Sequence, residues 1–106
     1  MATKSIDERL IPIVQYATPT TGSTVTVGTT GYIQLVINPA GSLLALTVAL
    51  PGSPQNGDVL ELCSSQAITT LTMSGGTVIG ALTTMAIGTF ASYIFNSTAG
   101  QWFRNG

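Results

Sequence analysis

Short runs in which apolar and polar residues alternate fill most of the chain. Thr24-Val-Thr-Val27 alternates with period two, the pattern of a half-buried strand. Tyr32-Ile-Gln-Leu-Val-Ile37 is rich in β-branched and aromatic residues and predicts a second strand. From Leu43 to Leu50 the alternation is cleanest. It predicts Leu44, Leu46, Val48 and Leu50 on one face, and Leu43, Ala45, Thr47 and Ala49 on the other, which is mostly small. Such a face suits close approach of a second layer or another subunit, and equally a solvated surface. Further strands are predicted over Asp58 to Ser64, Ile68 to Met73, Thr77 to Ile79, Leu82 to Ile87, Phe90 to Phe95 and Gln101 to Arg104. The punctuation between runs is turn chemistry: Gly28-Thr-Thr-Gly31, Asn38-Pro-Ala-Gly41, Pro51-Gly-Ser-Pro-Gln-Asn-Gly57, Ser74-Gly75-Gly76 and Asn96-Ser-Thr-Ala-Gly100.

The block from Gly57 to Arg104 contains an internal echo. Ala67-Ile-Thr-Thr-Leu-Thr-Met73 returns as Ala81-Leu-Thr-Thr-Met-Ala-Ile87. A solenoid needs about three repeats or more to bury a core. Two copies therefore favour a β-meander whose neighbouring strands share composition. The last predicted hairpin holds Phe90, Tyr93, Phe95, Trp102 and Phe103, and aromatic cross-strand pairs stabilise such ladders.

Residues 1–23 differ from the rest. Ser5-Ile-Asp-Glu8 has the spacing of a helix capping box. Pro12 limits that helix to one or two turns over about Ile6 to Leu10. Ile11 to Tyr16 then reads as extended and Ala17 to Gly22 as a loop. Ile6, Leu10, Ile11, Ile13, Val14 and Tyr16 are too apolar for an idle tail. Two readings stand: a first strand packed on its own domain, or an arm docked on another protein or a neighbouring subunit.

Seven to nine short strands predict an all-β fold, a small antiparallel β-sandwich or barrel with an extended N-terminal arm. The division is an arm over residues 1–23 and a β domain over 24–106. Such a domain exposes unpaired strand edges, which soluble proteins protect with charges, especially Lys. No Lys follows Lys4. The edges must be closed on themselves, covered by the arm, or paired across subunits, so an obligate oligomer is expected.

Composition narrows the function classes. Charged residues are 7% of the 106, against a typical quarter. Beyond Leu10 only Asp58, Glu61 and Arg104 are charged. Three cations cannot track a phosphate backbone, so no nucleic-acid partner is expected. No apolar run approaches the roughly 20 residues of a membrane helix, and no secretory signal is visible. The chain has no His, which removes His-based triads and His-bearing metal sites. Asp58 and Glu61, three apart on one strand, face opposite ways and make no acid–base pair. No phosphate-binding glycine loop is present. No enzyme activity, cofactor or metal is expected. The single cysteine, Cys63, reads as a buried small hydrophobe rather than a reactive thiol. Trp102 reads as core, with stacking on a sugar as the alternative.

One resemblance is carried by particular residues. They are Asn38-Pro-Ala-Gly-Ser-Leu-Leu-Ala-Leu-Thr-Val-Ala-Leu-Pro51, Asn56-Gly57-Asp58, Ser64-Ser-Gln-Ala-Ile-Thr-Thr-Leu-Thr72, Tyr93-Ile-Phe-Asn96 and Trp102-Phe-Arg104. Over about residues 31–106 the chain resembles the small β domain of tailed-bacteriophage head decoration (cement) proteins and of head or tail fibres. No single motif is diagnostic. The resemblance implies a homotrimeric virion protein, assembled in the host cytoplasm, that binds the major capsid protein on the outer surface of the head and stabilises it. The alternative it leaves is a receptor- or glycan-binding fibre domain. Residues 1–23 lie outside it and fit a capsid-attaching arm.

Overall fold

The computed structural model describes residues 12–28 and 31–106. The strands are β1 (Ile13–Ala17), β2 (Thr24–Thr26), β3 (Tyr32–Ile37), β4 (Leu43–Ala49), β5 (Val59–Ser64), β6 (Ile68–Ser74), β7 (Val78–Ile79), β8 (Phe90–Asn96) and β9 (Gln101–Arg104). No helix occurs among the described residues. The capping box, and Ile6, Leu10 and Ile11, lie outside them.

Most strands and the closing hairpin of β8 and β9 were legible; the pairing of the other strands was not. β1, β3 and β5 stack in parallel in one sheet, while β2, β4 and β6 stack in parallel in a second. The chain thus winds from one sheet to the other and back, a β-solenoid of about three turns. This overturns the antiparallel sandwich or barrel. The physical reason is the crossover. Parallel neighbours cannot be joined by a hairpin and usually need a long connection; here each connection is itself a strand of the opposite sheet. Ile13, Val14 and Tyr16 belong to β1, the edge strand of a six-stranded sheet.

The coils enclose one apolar core. From the first sheet Ile33, Leu35 and Ile37 point inward, with Leu60 and Leu62 stacked on the next coil. From the second come Val25, Leu46, Val48 and Leu71. The alternation in β4 is interrupted. Leu43 is buried and Leu44 is 73% exposed, so two outward residues, Leu44 and Ala45, separate the inward Leu43 and Leu46. β6 repeats this in register, with Thr69 and Thr70 between inward Ile68 and Leu71. Because both strands carry the irregularity at the same place, their one-to-one register is kept while the facing of the residues before it is shifted. The predicted common face of Leu44, Leu46, Val48 and Leu50 is therefore broken at its first member.

Repetition needs an end, because a solenoid's terminal coils expose apolar faces and edges. At the C-terminal end, β8 pairs antiparallel with β5, β9 with β8, and β7 in parallel with β9. The second sheet is closed by residues 82–86: Ile68 and Met85 exchange amide–carbonyl hydrogen bonds of 2.8 and 2.9 Å, and the Leu71 amide donates to the Thr83 carbonyl at 2.8 Å. The stretch from Leu82 to Ile87, predicted as a strand, makes only this isolated bridge. Tyr93, Phe95 and Trp102 turn inward from the closing hairpin, and the Phe95 and Trp102 rings lie 5.3 Å apart at 58°. Trp102 is core. At the other end Gln15 occupies an inward position of β1. Its Nε2 donates to the Thr26 carbonyl at 2.7 Å, and its Oε1 accepts from the Gly28 amide at 3.0 Å. One polar side chain thus ties the first sheet to the second where the apolar core stops.

Candidate interaction surface

Parallel register puts residues of successive coils in rows across the outer side of the six-stranded sheet. One row runs Tyr16, Val36, Cys63, Phe90. A second runs Tyr32, Val59, Ile94, Phe103, Ile79. Between them lies a polar row, Gln34, Glu61 and Ser92, which Val14 ends on β1. Outward side chains of this face include exposed Val14, Tyr16, Ile79 and Phe90. The other sheet faces water differently. Its central outward row is Thr24, Thr47, Thr72, and Thr26, Thr69 and Thr70 lie beside it. Threonine combines a strand-favouring branched side chain with a hydroxyl that water satisfies. This side is mostly threonine, with Leu44, 73% exposed, as its large apolar exception.

Two hydrogen-bonded groups fix the apolar face. Asn38, at the corner after β3, donates through Nδ2 to the Tyr16 hydroxyl at 2.7 Å and accepts at Oδ1 from Ser65 Oγ. This ladder crosses three coils and orients the Tyr16 ring. Tyr32 Oη donates to Glu61 Oε2 at 3.1 Å. The Glu61 bond raises the Tyr32 phenol above its ordinary value of 10.0, and desolvation and the Glu61 charge act the same way. Glu61 is the sole ionisable acid at the centre of the face. Cys63 is free and half-buried, its Sγ 3.8 Å from the Leu35 carbonyl. It sits among outward side chains and not in the core, contrary to the expectation for a thiol in an apolar strand.

Of the predicted contact residues, Ile13, Val14 and Tyr16 come together on β1, 45%, 60% and 62% exposed. Ile13 is on the inward side of β1 beyond the packed core, while Val14 and Tyr16 join the outer rows. Phe90 and Phe103 were named from the sequence only as hairpin aromatics and Val36 and Val59 only as strand residues, none of them as a contact residue. Their signal was the period-two pattern itself, since both faces of β3, β5 and β8 carry apolar residues. At the end of the closing hairpin, Asn56, Gly57, Ile94, Phe95, Asn96 and Phe103 line an open depression of about 370 Å3. Both asparagines accept backbone amides of the hairpin turn, Asn56 from Ser97 and Asn96 from Ala99, so they build the turn. Among the described residues no three His, Cys, Asp or Glu side chains gather where a metal could sit.

No family model and no curated protein matches the chain. A chain in a solved structure described as "Structure of a chaperone-substrate complex" superimposes with a TM-score of 0.44 and 25% identity, over 82% of this chain and 14% of that one. The match spans about one seventh of that protein's length, and at this score a common fold is not established. None of these findings concerns phage decoration proteins, so that resemblance stands on sequence alone.

Proposed function

We propose that this protein is a structural, non-enzymatic contact protein, and that the contact is decoration of a bacteriophage head as a homotrimer bound to the major capsid protein. The observation that supports a contact role is the outer side of the six-stranded sheet, where two apolar rows carry Tyr16, Phe90 and Ile79 in exposed positions. Monomeric proteins rarely present large contiguous apolar patches, and such patches mark interaction sites. The phage part of the reading is supported by the sequence resemblance of residues 31–106. In it, the N-terminal segment with Ile6, Leu10 and Ile11 holds the capsid and Val14 and Tyr16 contact a subunit.

The test is co-sedimentation with purified heads of the parent phage. The full chain is expected to pellet with heads, and a chain lacking residues 2–11 is expected to stay in the supernatant with its β-sheet spectrum intact. Wild-type occupancy by the truncated chain would remove the segment from the attachment role. A fibre domain that binds glycans is the second reading. For it, Trp102 is not available as a stacking platform, being 2% exposed, and a glycan array separates the two readings.

A further inference from the structure

We infer that Asn105 is a modification site, converting spontaneously to aspartate and isoaspartate, while the fold protects the same Asn-Gly pair at Asn56. The inference is independent of the proposed function.

The chain has four asparagines, Asn38, Asn56, Asn96 and Asn105. An asparagine reacts when the amide nitrogen of the next residue loses its proton and attacks the side-chain carbonyl carbon. The new C–N bond closes a succinimide ring, and the side-chain nitrogen leaves as ammonia. Water then adds to either ring carbonyl and breaks that carbon's bond to the ring nitrogen. Opening at the side-chain carbonyl gives aspartate. Opening at the main-chain carbonyl gives isoaspartate, with the backbone routed through the side chain. Water is consumed and ammonia released, and nothing is oxidised or reduced. The step needs a following residue with an available N–H and little bulk, and an asparagine side chain that can swing onto it.

The residues that follow narrow four candidates to two. Asn38 precedes Pro39, whose ring nitrogen carries no proton. Asn96 precedes Ser97, whose amide donates to Asn56 Oδ1 at 3.0 Å, and Asn96 Oδ1 itself accepts the Ala99 amide at 3.1 Å. Asn56 and Asn105 are each followed by glycine, which has no Cβ to hinder the attack. Both asparagines are exposed, so access of water does not separate them.

Hydrogen bonding does separate them. The Gly57 amide, the nitrogen that would attack, donates to the Phe95 carbonyl at 2.9 Å. The bond from Ser97 holds the Asn56 side chain against the opposite turn. Asp58 closes the loop around the pair: its amide donates to the Gln55 carbonyl at 3.0 Å, and its Oδ2 accepts the Gln55 amide at 2.8 Å. Asn105 lies just past β9. Its own amide donates to the Ser92 carbonyl at 2.8 Å, and Arg104 Nε donates to the Gly106 carbonyl at 3.0 Å. Those bonds hold the backbone on either side of the reacting pair. Among the described residues none engages the Asn105 side chain or the Gly106 N–H. Conversion at Asn56 waits for its turn to open, whereas conversion at Asn105 needs only a side-chain rotation. Breaking the Gly57 and Ser97 bonds first makes Asn56 slower than Asn105 by roughly tenfold or more.

The experiment incubates the full chain in mildly alkaline buffer, folded and in concentrated urea, and follows both positions by mass mapping of fragments. An isoaspartyl methyltransferase assay counts the isoaspartate product. Each conversion also makes the chain one unit more negative than its formal −1, which ion-exchange chromatography resolves. In the folded chain Asn105 is expected to convert with both products while Asn56 remains an amide, a rate difference of about tenfold or more. In urea the difference is expected to shrink to within about threefold, because the bonds that hold Asn56 and Gly57 are gone. Equal rates at the two positions in the folded chain overturn the inference. So does an Asn105 that stays an amide when folded, or a preference for Asn105 that urea leaves unchanged.

Discussion

Leu43 and Leu44 are chemically identical neighbours that the fold treats in opposite ways. Leu43 is 4% exposed and lies in the row with Ile68; Leu44 is 73% exposed on the threonine side. Replacing Leu43 with Ala deletes a buried side chain between closed sheets. Large-to-small changes of this kind cost about 2–5 kcal/mol, the upper end where neighbours cannot collapse into the space. Ile68 and Met85 are tied to each other by two backbone hydrogen bonds, which limits that collapse. About 3 kcal/mol is a reasonable centre, a large share of the roughly 5–15 kcal/mol that holds a domain of this size. Leu44→Ala removes side-chain surface that is already wet, and is expected within about 0.5 kcal/mol of wild type. Urea unfolding at one fixed protein concentration checks this, since an oligomer's midpoint depends on concentration. With a slope of about 1–3 kcal/mol per molar urea, Leu43→Ala moves the midpoint down by at least about 1 M and Leu44→Ala leaves it in place. Equal losses from the two variants, or a larger loss from Leu44→Ala, would restore strict alternation in β4 and refute its interruption at Leu44 and Ala45.

Other outcomes follow from single contacts. Gln15→Ala removes the tie between Thr26 and Gly28 and is expected to cost about 0.5–1.5 kcal/mol, with faster hydrogen exchange at the Gly28 amide; unchanged exchange would count against the tie. Gly75 has φ of 81° and an added Cβ would lie 3.3 Å from the Leu50 carbonyl oxygen, so Gly75→Ala is expected to lose about 1–3 kcal/mol in thermal unfolding, and a neutral result would contradict the turn. The Tyr32 phenol is raised in the folded chain relative to the unfolded one. Its contribution to stability is therefore complete below pH 10 and is lost as pH rises through the folded-state value. The difference in ultraviolet titration between wild type and Tyr32→Phe isolates this phenol, and Glu61→Gln is expected to move its step to lower pH.

Local structure was legible and topology was not, for identifiable reasons. The predicted run from Tyr32 to Ile37 coincides with β3, and the runs at Leu43, Asp58, Ile68, Phe90 and Gln101 fall on β4, β5, β6, β8 and β9. Period-two patterning needs only the strand itself. The coil repeat was hidden because its length varies: Ile13 stacks on Ile33, twenty positions on, whereas Ile33 stacks on Leu60, twenty-seven on. The echo that was visible, Ala67 to Met73 with Ala81 to Ile87, belongs to a strand and the segment that closes its edge, joined at Ile68 and Met85. It marked a spatial pair but not the winding. Of the outer apolar rows, only Val14 and Tyr16 were named from the sequence as candidate contact residues. Phe90, Val36 and Val59 looked like ordinary strand residues, because a run apolar on both sides does not reveal which side meets its own core.

The most direct measurement is a cryo-electron microscopy reconstruction of parent phage heads from which the protein is missing, with and without the purified chain added back. The account predicts added density outside the shell, with the N-terminal segments on the major capsid protein. Identical maps with and without the protein would contradict it.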